Sequence, residues 1–245
     1  MNFAPVQFPF RRFLVQYLTK FNAHISVTNP SIGHTTDSFL SLLAHVEELI
    51  DAGRIRDARR FLAQFIERKQ PEPRMLPALA SLYLRVGKSE QALATMRSAI
   101  VELGGEASLF NALGLMLASI GKEEESREQF EEALKLEPTN NEALRNLAFT
   151  LHRSGQRRRS YGLLIECAKS SPLSVELRLI CGTLLELDGR LRDAAACYRE
   201  VVELSTVAQQ IRLASQRLLF LNTTDLAESF DDVIAKLIEE GEKEG

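Results

Sequence analysis

The sequence predicts an all-α solenoid of stacked helix pairs, and two observations carry that prediction. Gly53, Gly87, Gly121, Gly155 and Gly189 stand 34 residues apart without drift. A fixed period of this size marks a helix–turn–helix array. Between the glycines, small and large side chains recur at fixed offsets, which is what interdigitated helices need. In such an array each unit touches only its neighbours, so function belongs on an extended surface and not in a closed pocket.

Cutting at the period gives five units, 39–72, 73–106, 107–140, 141–174 and 175–208. The third is the clearest. Phe110, Leu113, Leu117 and Ile120 have helical spacing, and Gly121 ends that helix because a left-handed residue costs glycine almost nothing. Phe130, Ala133, Leu134 and Leu136 form the apolar face of a second helix, and Pro138 stops it. Eight residues into the units stand Val46, Ala80, Gly114, Ala148 and Gly182; twenty residues in stand Ala58, Ala92, Ser126, Ser160 and Ala194. Small side chains at both places let two helices approach, and a bulky one would part them. Large residues lie between them, first Leu49, Tyr83, Leu117, Leu151 and Leu185, then Leu62, Met96, Phe130, Leu164 and Tyr198.

The flanks differ from the array. Residues 1–38 are read as an N-terminal amphipathic helix and a linker. In residues 9–22, Phe10, Phe13, Leu14, Tyr17, Leu18 and Phe21 share one helical face beside Arg11, Arg12 and Lys20. Three readings of this segment stay open: a cap on the first unit, an organelle transit peptide, or a surface-seeking helix making peripheral membrane contact. Residues 209–245 are read as capping helices with an acidic tail. Asn222-Thr223-Thr224-Asp225 forms a turn and N-cap there, and Leu226, Phe230, Ile234 and Leu237 lie on one face of a last helix.

Charge and composition narrow the function. The formal charge is −3, and no basic stripe runs along the body, so nucleic-acid binding is not expected. No apolar run approaches the roughly 18 residues of a membrane span. Cys167, Cys181 and Cys197 lie at core-like helical positions without metal spacing, which points to a reducing, cytoplasmic compartment, with organelle targeting through the basic N-terminal segment as the alternative. His24, His34, His45 and His152 are scattered, and no catalytic or phosphate-loop motif occurs, so neither an enzyme nor a cofactor or metal site is expected.

The positional pattern resembles the tetratricopeptide repeat family. Gly114, Ser126, Phe130, Ala133 and Pro138 match its small, aromatic and terminal-proline slots, as do Ala148, Ser160, Leu164, Cys167 and Pro172 in the fourth unit. The slot often aromatic in the family holds Phe110 once and Leu42, Leu76, Leu144 and Arg178 elsewhere, which departs from the pattern. His45 and Phe65 depart in the first unit, at slots that should be packed. The resemblance implies a right-handed superhelix whose first helices line a concave face. It puts Arg74, Arg85, Asn111, Arg145, Asn146, Phe149, His152 and Arg153 on that face. The fourth unit is the most chemically loaded, with Arg145, Phe149, His152 and Arg153 on one helix face. The family's carboxylate clamp would need Lys then Asn at fixed slots, and no unit has that pair.

The implied function is a non-catalytic adaptor or scaffold holding a peptide or helix of a protein partner. A chaperone for subunits of a secretion or assembly system is the alternative. A regulatory subunit or an enzyme with unrecognised active residues is the alternative of another class.

Overall fold

The computed structural model describes residues 33–68, 71–171, 173–221 and 229–243. The segment 9–22, Pro172, the turn 222–225 and Leu226 lie outside the described residues. Among the described residues the chain is all-helical, with no strand. Twelve α-helices follow one another: α1 (Gly33–Asp51), α2 (Ile55–Arg68), α3 (Leu76–Arg85), α4 (Ser89–Leu103), α5 (Ala107–Ser119), α6 (Glu123–Leu136), α7 (Asn141–Arg153), α8 (Arg157–Ser170), α9 (Val175–Leu187), α10 (Leu191–Leu204), α11 (Ala208–Leu221) and α12 (Phe230–Lys243). A 3-10 turn, Pro73–Met75, precedes α3. The first helix begins at Gly33, so it takes in residues the sequence suggested as linker.

The helices form two compact units, one ending at Leu136 and the other beginning at Glu137. In the first unit α1 packs on α2, α3 on α4 and α5 on α6; in the second, α7 packs on α8 and α9 on α10. The five ladder glycines each join the two helices of a pair and have φ between 71° and 81°. A side chain at that φ meets its own backbone, which explains why glycine recurs there.

The periodic slots are the core. Phe39, Leu42, Val46, Ala58 and Leu62 pack with Met75, Leu79 and Leu82 in one cluster. Ala80, Ala92 and Met96 pack with Leu109, Leu113, Met116 and Leu117 in the next. The small slots are close contacts: a Cβ added to Gly114 would lie 2.5 Å from Phe130, and one on Gly182 would lie 2.9 Å from Tyr198. The serines at the facing slot do more than keep room. Ser126 Oγ donates to the carbonyl of Gly114 at 2.8 Å, and Ser160 Oγ donates to that of Ala148 at 2.8 Å. Each hydroxyl is thereby satisfied at full burial, with a net gain of about 1 kcal/mol.

The two departures in the first pair have separate explanations. Phe65 packs on Phe39 with ring centroids 6.2 Å apart, so it joins the core. His45 stays exposed, edge-on to Phe61 at 4.5 Å.

The last two helices part company. α11 packs on α10, with Gln210 Nε2 donating to Glu176 on α9 at 2.8 Å and Arg217 paired to Glu186 on α9 at 3.2 Å. α12 instead turns back onto α8 and α10, burying Phe230, Val233 and Leu237.

Candidate protein-interaction surface

The first helices of the second unit, α7, α9 and α11, carry the candidate surface. α7 starts on an N-cap in which Asn140 accepts from the Ala143 amide at 3.0 Å. α9 starts on Ser174, which accepts from the Leu177 amide at 3.2 Å. Each cap satisfies one of the free amides that open a helix, and so fixes where the faces of α7 and α9 begin.

On α7, Leu144, Leu147, Ala148 and Leu151 point into the core. Arg145 is exposed, and Phe149, one turn on, is half-buried. Arg145 makes no ion pair among the described residues; Glu142, three residues earlier, does not reach it. Asn146 is half-buried and Arg153 exposed, and each already makes an interaction within the structure.

His152 does not belong to this surface. Its side chain is 10% exposed, and its Nε2 stands 2.9 Å from Asp188 Oδ1. Tyr161 donates its hydroxyl to Asp188 Oδ2 at 2.8 Å, and Arg157 Nε stands 3.0 Å from Oδ1. Burial, reinforced by the bond to Asp188, pushes the Tyr161 hydroxyl far above its ordinary range. Asp188, the last residue before Gly189, thus gathers donors from α7 and α8. The basic run Arg157–Arg159 forms the first turn of α8, with Arg159 donating to Gln156 at 2.8 Å. Cations at a helix start oppose the helix dipole, and the carboxylate of Asp188 offsets that for Arg157.

In the first unit the expected site residues are occupied or covered. Arg85 pairs with Glu47 at 3.1 Å and with Asp51 at 3.3 Å, both on α1. Arg74 is half-buried in the 3-10 turn and makes an interaction of its own. Asn111 is 2% exposed, so it cannot meet a partner's backbone. The family resemblance placed Asn111 on a groove slot, but its side chain is buried and makes an interaction within the structure.

Sequence reasoning read α11 as part of a cap and missed its exposed apolar face. Leu213 is 46% exposed and Phe220 78% exposed, seven residues apart on one face. The signal was available. Leu213 lies 34 residues after Leu179, and Phe220 lies 34 after Glu186, so both continue the first-helix slots. The end of the glycine ladder concealed this, because α11 keeps the first-helix role without a glycine to close it.

The thiols are chemically quiet. Cys181 and Cys197 are buried and Cys167 half-buried, all unpaired. The neighbouring Cys181 thiol, with burial, pushes Cys197 well up, and burial pushes Cys167 up. No group of His, Cys, Asp and Glu that could hold a metal occurs among the described residues, and no described helix is long and apolar enough to cross a membrane.

Comparison with known proteins finds helical-repeat relatives. The tetratricopeptide repeat family profile matches residues 43–107 and 78–141. Among solved structures, TTC0263, a thermophilic TPR protein in Thermus thermophilus, is 18% identical, with 74% of this chain and 99% of that chain covered and a TM-score of 0.50. PilF of Pseudomonas aeruginosa is 15% identical, covers 85% of this chain and 92% of its own, and has a TM-score of 0.47. YrrB, described as a TPR protein with an unusual peptide-binding site, is 12% identical over 76% of this chain and 96% of its own, with a TM-score of 0.44. At 18% identity the feature shared with TTC0263 is the fold alone. Comparison with curated proteins gave no match.

Proposed function

We propose that this tetratricopeptide repeat protein is a non-catalytic adaptor that holds a peptide or helix of a partner protein on the first helices of its second unit. One observation carries the reading: Arg145 is exposed and makes no ion pair among the described residues, one helical turn before the half-buried ring of Phe149. An arginine fork binds a carboxylate through two parallel hydrogen bonds. An aromatic ring beside it supplies an apolar anchor of the kind that dominates interface energetics. The segment that fits bears an acid next to an apolar side chain. Leu213 and Phe220 extend the apolar footing along α11.

Several other charges on these helices are taken up in helix stacking. Glu186 accepts from the Tyr198 hydroxyl at 2.9 Å and pairs with Arg217, and Glu176 accepts from Gln210. Burial, chiefly, pushes the Tyr198 hydroxyl far up. The perturbed tyrosines therefore serve helix stacking, and they do not converge on a common reaction centre. The three unpaired thiols support a reducing, cytoplasm-like compartment.

Affinity capture from native lysate tests the reading. Proteins retained by the wild-type chain are expected to be lost with the Arg145→Ala/Phe149→Ala double variant and regained with Arg145→Lys only in part, because lysine lacks the fork. Unchanged capture by the double variant would remove the surface from consideration.

A further inference from the structure

The other side of the second unit, formed by the second helices α8 and α10, already holds a helix, namely α12. Its seat is unusual in composition. Arg178, 4% exposed on α9, lies with its guanidinium 4.4 Å from the centre of the Phe230 ring and donates to Glu200 Oε2 on α10 at 2.8 Å. The other Glu200 oxygen accepts the Phe230 amide at the start of α12. Further along, Arg190 pairs with Glu240 at 2.6 Å, and Lys236 reaches Asp193 at 3.4 Å. Between these polar links α12 buries Phe230, Val233 and Leu237. The pattern is an aromatic residue, apolar residues three and seven positions on, and an acid ten positions on.

The charges beneath α12 are complete without it. Arg178 keeps Glu200, and Arg190 keeps Asp193 at 2.7 Å, all within α9, α10 and the turn between them. Covering such pairs removes them from water at a cost that their mutual attraction only partly returns. Uncovering them restores hydration and leaves no orphaned charge. A floor of this kind holds a helix less firmly than an all-apolar floor of the same size, and it survives the helix's departure.

We propose that α12 is a releasable strap over a helix-receptive face of α8 and α10. The partner this face fits, once the strap lifts, is an acidic amphipathic helix repeating the Phe230–Val233–Leu237–Glu240 pattern. The face shares α9 with the candidate surface through Arg178 but includes neither Arg145 nor Phe149, so the two readings stand or fall separately.

Hydrogen exchange on the full chain tests the strap. Amides of α12 are expected to exchange at least about tenfold faster than those of α9 and α10, because the strap opens on its own. Raising NaCl from about 0.05 to about 0.5 M is expected to quicken α12 roughly threefold and leave α9 unchanged, since exposed pairs are screened. A full-chain Phe230→Ala/Leu237→Ala variant is expected to keep protection in α7–α10 and to bind a synthetic Ser229–Lys243 peptide saturably. The same peptide carrying Glu240→Lys is expected to bind about tenfold more weakly, as a charge-assisted bond becomes a repulsion. Exchange of α12 in step with α10, loss of α9–α10 protection in the variant, or no saturable uptake of the peptide would each overturn the proposal.

Discussion

The two units share a repeat geometry and differ in how they use polar side chains. In the first, the turn residue before Gly87, the ladder glycine of its second pair, is Val86, and Arg59 Nε donates to its carbonyl at 2.6 Å. In the second, the equivalent residue is Asp188, which takes three side-chain donors, His152, Arg157 and Tyr161. Arg59 and Tyr161 occupy the same slot, 102 residues apart, and reach the same place in the following pair. The latch is therefore common to both units, but only the second builds it from a largely buried carboxylate. In the first unit Arg85 closes on Glu47 and Asp51, whereas in the second Arg145 makes no ion pair among the described residues and Leu213 and Phe220 are exposed. The repeat sets the positions, and side-chain chemistry at a few of them decides which polar groups are tied into the stack.

Removing the hub of the second unit gives the largest expected effect. Asp188→Ala leaves the Tyr161 hydroxyl and His152 without their acceptor under cover, and it is expected to cost about 3 kcal/mol in urea unfolding. A loss under about 1 kcal/mol would mean that the two units are latched alike.

Tyr161→Phe should cost about 1 kcal/mol near neutral pH, the worth of one partly buried hydrogen bond. It also carries a pH signature. Folding raises the Tyr161 hydroxyl above its ordinary value of 10.0, so above that pH the folded chain retains a proton the unfolded chain has lost. Stability contributed by this group is full below pH 10 and falls as pH rises beyond it. The Phe variant is expected to lose stability less steeply above pH 10, read from unfolding midpoints at successive pH values. Parallel alkaline profiles for the two proteins would count against the hub.

The smallest effect is expected in the first unit. Arg85→Ala breaks pairs whose side chains retain contact with solvent, and it should change stability by no more than about 0.5 kcal/mol. A cost matching that of Asp188→Ala would erase the contrast between the units.

Much of the fold was legible in the sequence. The ladder glycines, the small slots from Val46 to Gly182 and the large slots from Leu49 to Tyr198 reported their roles because those roles are local. A turn needs positive φ, and a helix crossing needs a particular volume, wherever the unit sits. Arg178 could be recognised as a departure but not explained, since its ring partner, Phe230, lies 52 residues later. Asn111 and His152 were assigned to a surface by their slots in the family pattern. Spacing gives the side of a helix, and it does not say whether the neighbouring helix covers that side.

By itself, the sequence determined the all-helical repeat, the places where its helices turn and the residues that fill its interior. These follow from short-range backbone preference and side-chain size repeated every 34 residues. Only the tertiary structure decided that Asp188 draws in His152, that α11 serves as another first helix, and that α12 returns to α8 and α10. Those outcomes depend on which charges lose water together, and partners such as Arg190 and Glu240 stand 50 residues apart in the chain.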